Sequence, residues 1–219
     1  MKNNRQTKRY SLRSALMCII LFALFISSCK ASRNVSSTTS ASSGGAFPAS
    51  EFYGSRWNND YVRINSDPRP EGTVTLNLHP AGSAGFVMPV CGNILSEFGM
   101  RNGRMHTGID VKLTHEQPVY SAFDGMVRIA KDHNSYGKYV VIRHDNGLET
   151  LYSHLNSIAV RLNQRVNAGD KIGGGGKTGN ATGEHLHFEI RFMGEPMNPR
   201  LIVDFENCRL VKNTITLNF

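Results

Sequence analysis

Two short runs bring together side chains that bind divalent metals. His106-Thr107-Gly108-Ile109-Asp110 sets an imidazole and a carboxylate four residues apart. His185-Leu186-His187 sets two imidazoles two residues apart. On a strand, both rings then face one side, with Leu186 and Phe188 on the other. Zinc accepts imidazole nitrogen and carboxylate oxygen, and a catalytic zinc keeps three protein ligands plus a water. His154 is a fifth candidate. Either run alone reads as readily as scattered surface histidines. Taken together they leave a zinc site and chance placement both open. Glu189 shares the strand face of His185 and His187. It is placed either to orient one ring through a hydrogen bond or to sit in solvent.

Two other runs imitate known sites and are rejected. Gly173 to Thr178 contains Gly176-Lys177-Thr178, the end of a phosphate-binding loop, but the first position of that pattern is Lys171 and a strand follows where a helix is needed. His115-Glu116 opens like a helical zinc motif, yet the second His is missing and Pro118 would break the helix. Both residues are read as loop residues. His79, His133 and His144 are read as exposed strand or loop positions.

The elements that must carry these residues are short strands. Met126–Ala130, Tyr139–His144, Leu148–Tyr152 and His185–Arg191 alternate or are apolar throughout, and Asp145-Asn146-Gly147 between two of them signals a hairpin. Tyr61–Ile64 and Val74–Leu78 alternate as well. No stretch after residue 50 shows a long capped helical period. The expected fold is therefore an all-β dominated, mostly antiparallel sheet domain with Gly-rich connections.

The N-terminus has a separate logic. Lys2, Arg5, Lys8, Arg9 and Arg13 precede an apolar run of 12 residues, Ala15–Ile26. That is short of the ~20 needed to span a bilayer and fits an export signal. Ile26-Ser27-Ser28-Cys29 resembles a bacterial lipobox, so residues 1–28 are expected to be a lipoprotein signal and Cys29 the lipidated residue. Residues 29–50, rich in Ser, Thr, Ala and Gly, read as a flexible tether, and 51–85 as a strand-bearing extension. Of the formal charge of +8, five units lie before Cys29, which carries no preceding acid. The small remainder argues against a nucleic-acid partner. Cys91 and Cys208 remain, free to form a disulfide in an exported compartment or to stay as two thiols.

Four blocks, in order, resemble the M23 metallopeptidases, the lysostaphin-like or LytM-type family. They are Ser96-Glu97-Phe98-Gly99-Met100-Arg101, His106 to Asp110, Tyr152-Ser153-His154-Leu155, and Thr178 to Glu189. The resemblance runs from about Phe86 to Asp204 and places the domain at 86–205, with 206–219 as a tail. It implies a compact, bent antiparallel sheet with a groove. It implies zinc (Zn2+) held by His106, Asp110 and His187, with His154 and His185 as catalytic histidines and Arg101 facing the scissile carbonyl. It also implies hydrolysis of peptide cross-links in peptidoglycan, with stem peptides cut at D-alanyl bonds. A monomer, lipid-anchored on the periplasmic face of the outer membrane, is the expected setting. Some family members have lost metal ligands and only activate wall amidases, but here all five positions are present. An envelope tether is a further alternative, though it has no use for five clustered residues of this kind. The run Gly173–Gly176 departs from the family, which often has a Ser there, and is expected to alter loop flexibility.

Overall fold

The computed structural model describes residues 72–218. The expected signal, tether, lipidated Cys29 and Tyr61–Ile64 strand lie outside them. Strands in chain order are β1 (Thr73–Asn77), β2 (Ile94–Ser96), β3 (Gly99–Arg101), β4 (Arg104–His106), β5 (Ile109–Lys112) and β6 (Pro118–Tyr120). Then come β7 (Gly125–His133), β8 (Gly137–His144), β9 (Leu148–Leu155), β10 (Ser157–Ile158), β11 (Arg165–Val166) and β12 (Lys171–Gly174). The last are β13 (His185–Phe192), β14 (Glu195–Met197), β15 (Val203–Asp204), β16 (Arg209–Leu210) and β17 (Thr214–Asn218). No α-helix occurs among the described residues; one 3-10 turn spans Pro199–Leu201.

The organising element is an antiparallel sheet ordered β11-β7-β8-β9-β13-β5-β2, with β14 also on β13. Its central strands are buried along nearly their whole length; one face is apolar, and the other combines a small apolar cluster with buried Arg128, Arg143, Glu149, Glu189 and Arg191. Val140, Ile142, Leu148, Tyr152, Leu186, Phe188 and Ile190 point into the main core. Ile129, Tyr139, Val141 and Leu151 form a second cluster. The hairpin between β8 and β9 closes with Gly147 N–H donating to His144 O at 3.0 Å, and Gly147, not Asn146, takes the left-handed conformation (φ 89°). That is a three-residue loop, not a two-residue one.

Two expectations are corrected. His144 is fully buried. It follows Val140 and Ile142 at period two, so strand alternation turns it into the core, where its Nε2 lies 2.6 Å from Thr150 Oγ1 and its Nδ1 3.2 Å from Asp124 O. Gly173–Gly176 is a packed segment and not a loosened loop. A Cβ at Gly173 would stand 2.5 Å from Ser157 O, and one at Gly175 2.4 Å from the Leu113 side chain. Glycine is present because neighbouring chain comes too close for any side chain.

The two ends of the described segment meet: β1 pairs with β17, and Leu76, Leu78 and Ile215 join the main core. Cys91 and Cys208 form a disulfide across 117 residues of sequence.

Candidate active site

β13 and β5 pair with His187 opposite Asp110. Their approach depends on Gly108, where a Cβ would stand 2.5 Å from Phe188 O and 2.9 Å from His187 Cε1. Thus the Gly of His106-Thr107-Gly108-Ile109-Asp110 lets two metal-type side chains from distant sequence meet. His106 arrives at the end of β4, the second strand of the hairpin β3–β4.

His106 Nε2, Asp110 Oδ1 and His187 Nδ1 converge. The separations are 3.1 Å for His106–Asp110, 3.1 Å for His106–His187 and 2.8 Å for His187–Asp110. The outer nitrogens are committed elsewhere. His106 Nδ1 lies 2.6 Å from Glu97 O, and His187 Nε2 lies 3.0 Å from Glu189 Oε1. Each acceptor demands a proton on the outer nitrogen, so in the neutral rings the lone pairs of His106 Nε2 and His187 Nδ1 point inward. Two lone pairs and a carboxylate oxygen then face one point with no proton among them, an arrangement that a cation relieves. Donors around a tetrahedral zinc at ~2.0–2.1 Å stand roughly 3.3 Å apart, a few tenths of an ångström from the observed spacing. The three residues fit a metal ion.

The local charge agrees. With no cation between them the inner nitrogens donate instead: burial works against ionised Asp110, but hydrogen bonds from His106 and His187 outweigh it and hold its carboxyl well below the usual range. Burial also opposes charge on His187, yet Asp110 and Glu189 together raise its pKa to about 9. The two carboxylates make this a place for positive charge, whether proton or metal.

His154 reaches the site through a defect in β9. Leu148, Thr150 and Tyr152 face the core side, and strict alternation would send His154 there too. Between β8 and β9, two residue steps (Lys138 to Val140) oppose three (Tyr152 to Leu155). This bulge, with His154 at φ 62°, switches the face. Leu155 takes the core position and the His154 ring comes 4.8 Å from that of His185, centroid to centroid. A left-handed φ is uncommon for a residue other than glycine. Two hydrogen bonds hold it: His154 N–H to Tyr136 O at 2.8 Å, and Nδ1 to Thr178 O at 2.8 Å. Burial, offset only in part by the Thr178 carbonyl, lowers the His154 pKa to about 4. His185 Nδ1 lies 2.9 Å from Gly183 O, and its Nε2 is 3.8 Å from Asp110 Oδ1.

These residues line an open groove of about 430 Å³. Arg101, from β3, stands on one wall with its guanidinium 2.8 Å from Ser96 Oγ and 3.9 Å from Asp110 Oδ2. Tyr136 and Asn180 also line the groove. All six residues singled out from the sequence, Arg101, His106, Asp110, His154, His185 and His187, border this one groove. Three supporting residues were missed: Thr107, Tyr136 and Thr178. Thr178 closes on Leu155 O and Lys138 N through its hydroxyl and on His154 through its carbonyl. No periodic signal marks such a loop residue. Glu189, left between two readings, is fully buried against His187.

Residues 104–199 match the sequence profile of peptidase family M23, and the chain carries an M23 peptidase domain. It is 42% identical over 112 residues to the DD-carboxypeptidase/endopeptidase Mpg of Neisseria meningitidis, covering 48% of this chain and 26% of that protein. It is 43% identical over 93 residues to the peptidoglycan DD-endopeptidase ShyA of Vibrio cholerae, covering 42% of this chain and 22% of ShyA. The chain therefore spans about a quarter of the length of these relatives. A crystal structure of a putative M23 peptidase from Pseudomonas aeruginosa superposes with a TM-score of 0.50 at 29% identity, over 57% of this chain and 53% of that one. Its family and the all-β antiparallel architecture seen here agree.

Proposed function

We propose that this protein is a zinc-dependent endopeptidase that cuts peptide cross-links of bacterial peptidoglycan, with D-alanyl bonds of stem peptides as the substrate. One observation carries the reading: two imidazole nitrogens and a carboxylate oxygen converge on a single point, in a groove that also holds two further histidines. The relatives named as peptidoglycan DD-endopeptidases support the substrate.

His106, Asp110 and His187 would hold the zinc. When bound, it supplies a Lewis acid and a water that ionises near pH ~7. The protein's own groups do the rest. His154 has its Nδ1 proton committed to Thr178 O, so Nε2 is left to accept a proton, and a low pKa keeps the ring neutral at neutral pH. His185, across from it, is placed to meet the developing oxyanion or the leaving amine. Arg101 is exposed enough on the groove wall to reach a substrate carbonyl.

In this reading the chain is exported and anchored by lipid on Cys29, on the periplasmic face of the outer membrane, and works as a monomer. Cys29→Ser should move it to the soluble fraction; a variant that stays with membranes contradicts the anchor. The function itself is tested by incubating the full chain, in detergent, with peptidoglycan sacculi, with and without a zinc chelator. Mass spectrometry of the fragments should show uncross-linked stem peptides only without chelator. Intact cross-links in both samples would contradict the proposal.

A further inference from the structure

Glu189 sits between donors on every side. Its Oε1 accepts from His187 Nε2 at 3.0 Å, from Thr107 Oγ1 at 2.6 Å and from Tyr136 OH at 3.4 Å. Its Oε2 accepts from Arg191 Nη1. The side chain is fully buried, and Arg191, almost as buried, also donates to Gly194 O at 3.1 and 2.7 Å. Were stability the only demand, this would be a poor choice. A buried ion pair is commonly no better than apolar side chains of the same size, because desolvation cancels the attraction.

We infer that Glu189 is a positioning residue for the metal centre: it fixes the His187 ring with the Nδ1 lone pair facing His106 and Asp110, and its charge strengthens that nitrogen as a ligand. The inference rests on the metal reading above. Thr107, next to ligand His106, extends the same clasp from the β4–β5 segment to β13, so one carboxylate aligns two ligand-bearing segments. Arg191 balances the charge that the role requires. A glutamine cannot substitute cleanly. Donors approach both oxygens, so its amide NH2 must face either Arg191 or the His187, Thr107 and Tyr136 group.

The test compares zinc affinity of the full chain by competition with a chromophoric chelator. The proteins are wild type, Glu189→Gln, and Glu189→Gln combined with Arg191→Met, which removes the donor that the amide would oppose. Both variants should bind zinc about 10- to 100-fold more weakly, as is typical for loss of a partner behind a ligating histidine. Nitrogen NMR of labelled histidine in the zinc-loaded proteins should show the fixed Nε2–H form of His187 in wild type and its loss in Glu189→Gln, where Arg191 claims the amide oxygen and turns the NH2 to the ring. In the double variant that oxygen can again accept from Nε2–H, so the weaker zinc binding there reports the lost charge. A purely structural role would lower the melting temperature and leave both readouts unchanged in the folded molecules. Should the single variant fail to fold, the double variant decides. Variants that hold zinc as tightly as wild type overturn the inference alone. A wild-type chain that takes up no zinc overturns the metal reading beneath it.

Discussion

His144 should weaken the fold in mild acid, as should His154, whose pKa is lowered to the same value. Burial lowers the His144 pKa from 6.5 to about 4, despite hydrogen bonding to the Asp124 carbonyl. Between those values the unfolded chain binds a proton that the folded protein does not, so stability falls as pH drops from about 6.5 to about 4. The loss could reach ~3 kcal/mol. Replacing His144 by Gln should cost about 1 kcal/mol at pH 7 through the lost hydrogen bond, and should flatten the decline. Urea midpoints at pH 7 and pH 5 measure this; an unchanged slope in the variant contradicts the assignment. The same residue shows what was readable at this scale. Val140, Ile142 and His144 share a parity, so the burial of His144 was written in the strand pattern. The depth of Glu189 was not. Parity gives the face of a residue, while burial depends on what covers that face. Spacing made the His and Asp runs legible as candidate metal donors but left chance placement open; the ligand and catalytic roles came from the family resemblance.

At the scale of elements, β5 must lie flush on β13 for Asp110 to meet His187. Gly108→Ala puts a methyl group 2.5 Å from Phe188 O and 2.9 Å from Glu189 Cγ, both parts of β13 itself. The strands must separate, which should cost ~1–3 kcal/mol of stability, as overpacking does. Metal affinity should fall with it. Thermal melts and zinc titration check both, and a variant that melts and binds as wild type does would contradict the packing account. Strands β7, β8, β9 and β13 were legible because they are long and alternate or are wholly apolar. The hairpin β3–β4 and the strands β5 and β6 were not. They are three or four residues each, too short to display a period. The bulge that delivers His154 also escaped, since an extra residue leaves no mark in composition.

On the scale of the whole molecule, the M23-matching segment 104–199 is clasped by flanking sequence. β1 pairs with β17, and the Cys91–Cys208 disulfide joins the approach to β2 with the approach to β16. Closing a loop of this size should contribute ~2–5 kcal/mol. Changing both cysteines to serine should lower the melting temperature by roughly 4–20 °C, at ~2–4 °C per kcal/mol for a domain of this size. Differential scanning calorimetry reads it, and an unchanged transition would show that the clasp contributes nothing. The pairing could not be read beforehand, because two cysteines in a sequence carry no geometry. The measurement closest to the central claim is zinc-dependent restoration of cleavage. Protein stripped by chelator is titrated with zinc while stem-peptide release from sacculi is followed. Release should be absent at the start and saturate at one zinc per chain in the wild type, with no recovery in His187→Ala. Undiminished cleavage by the stripped protein, or full recovery in that variant, would contradict the metal site built from His106, Asp110 and His187.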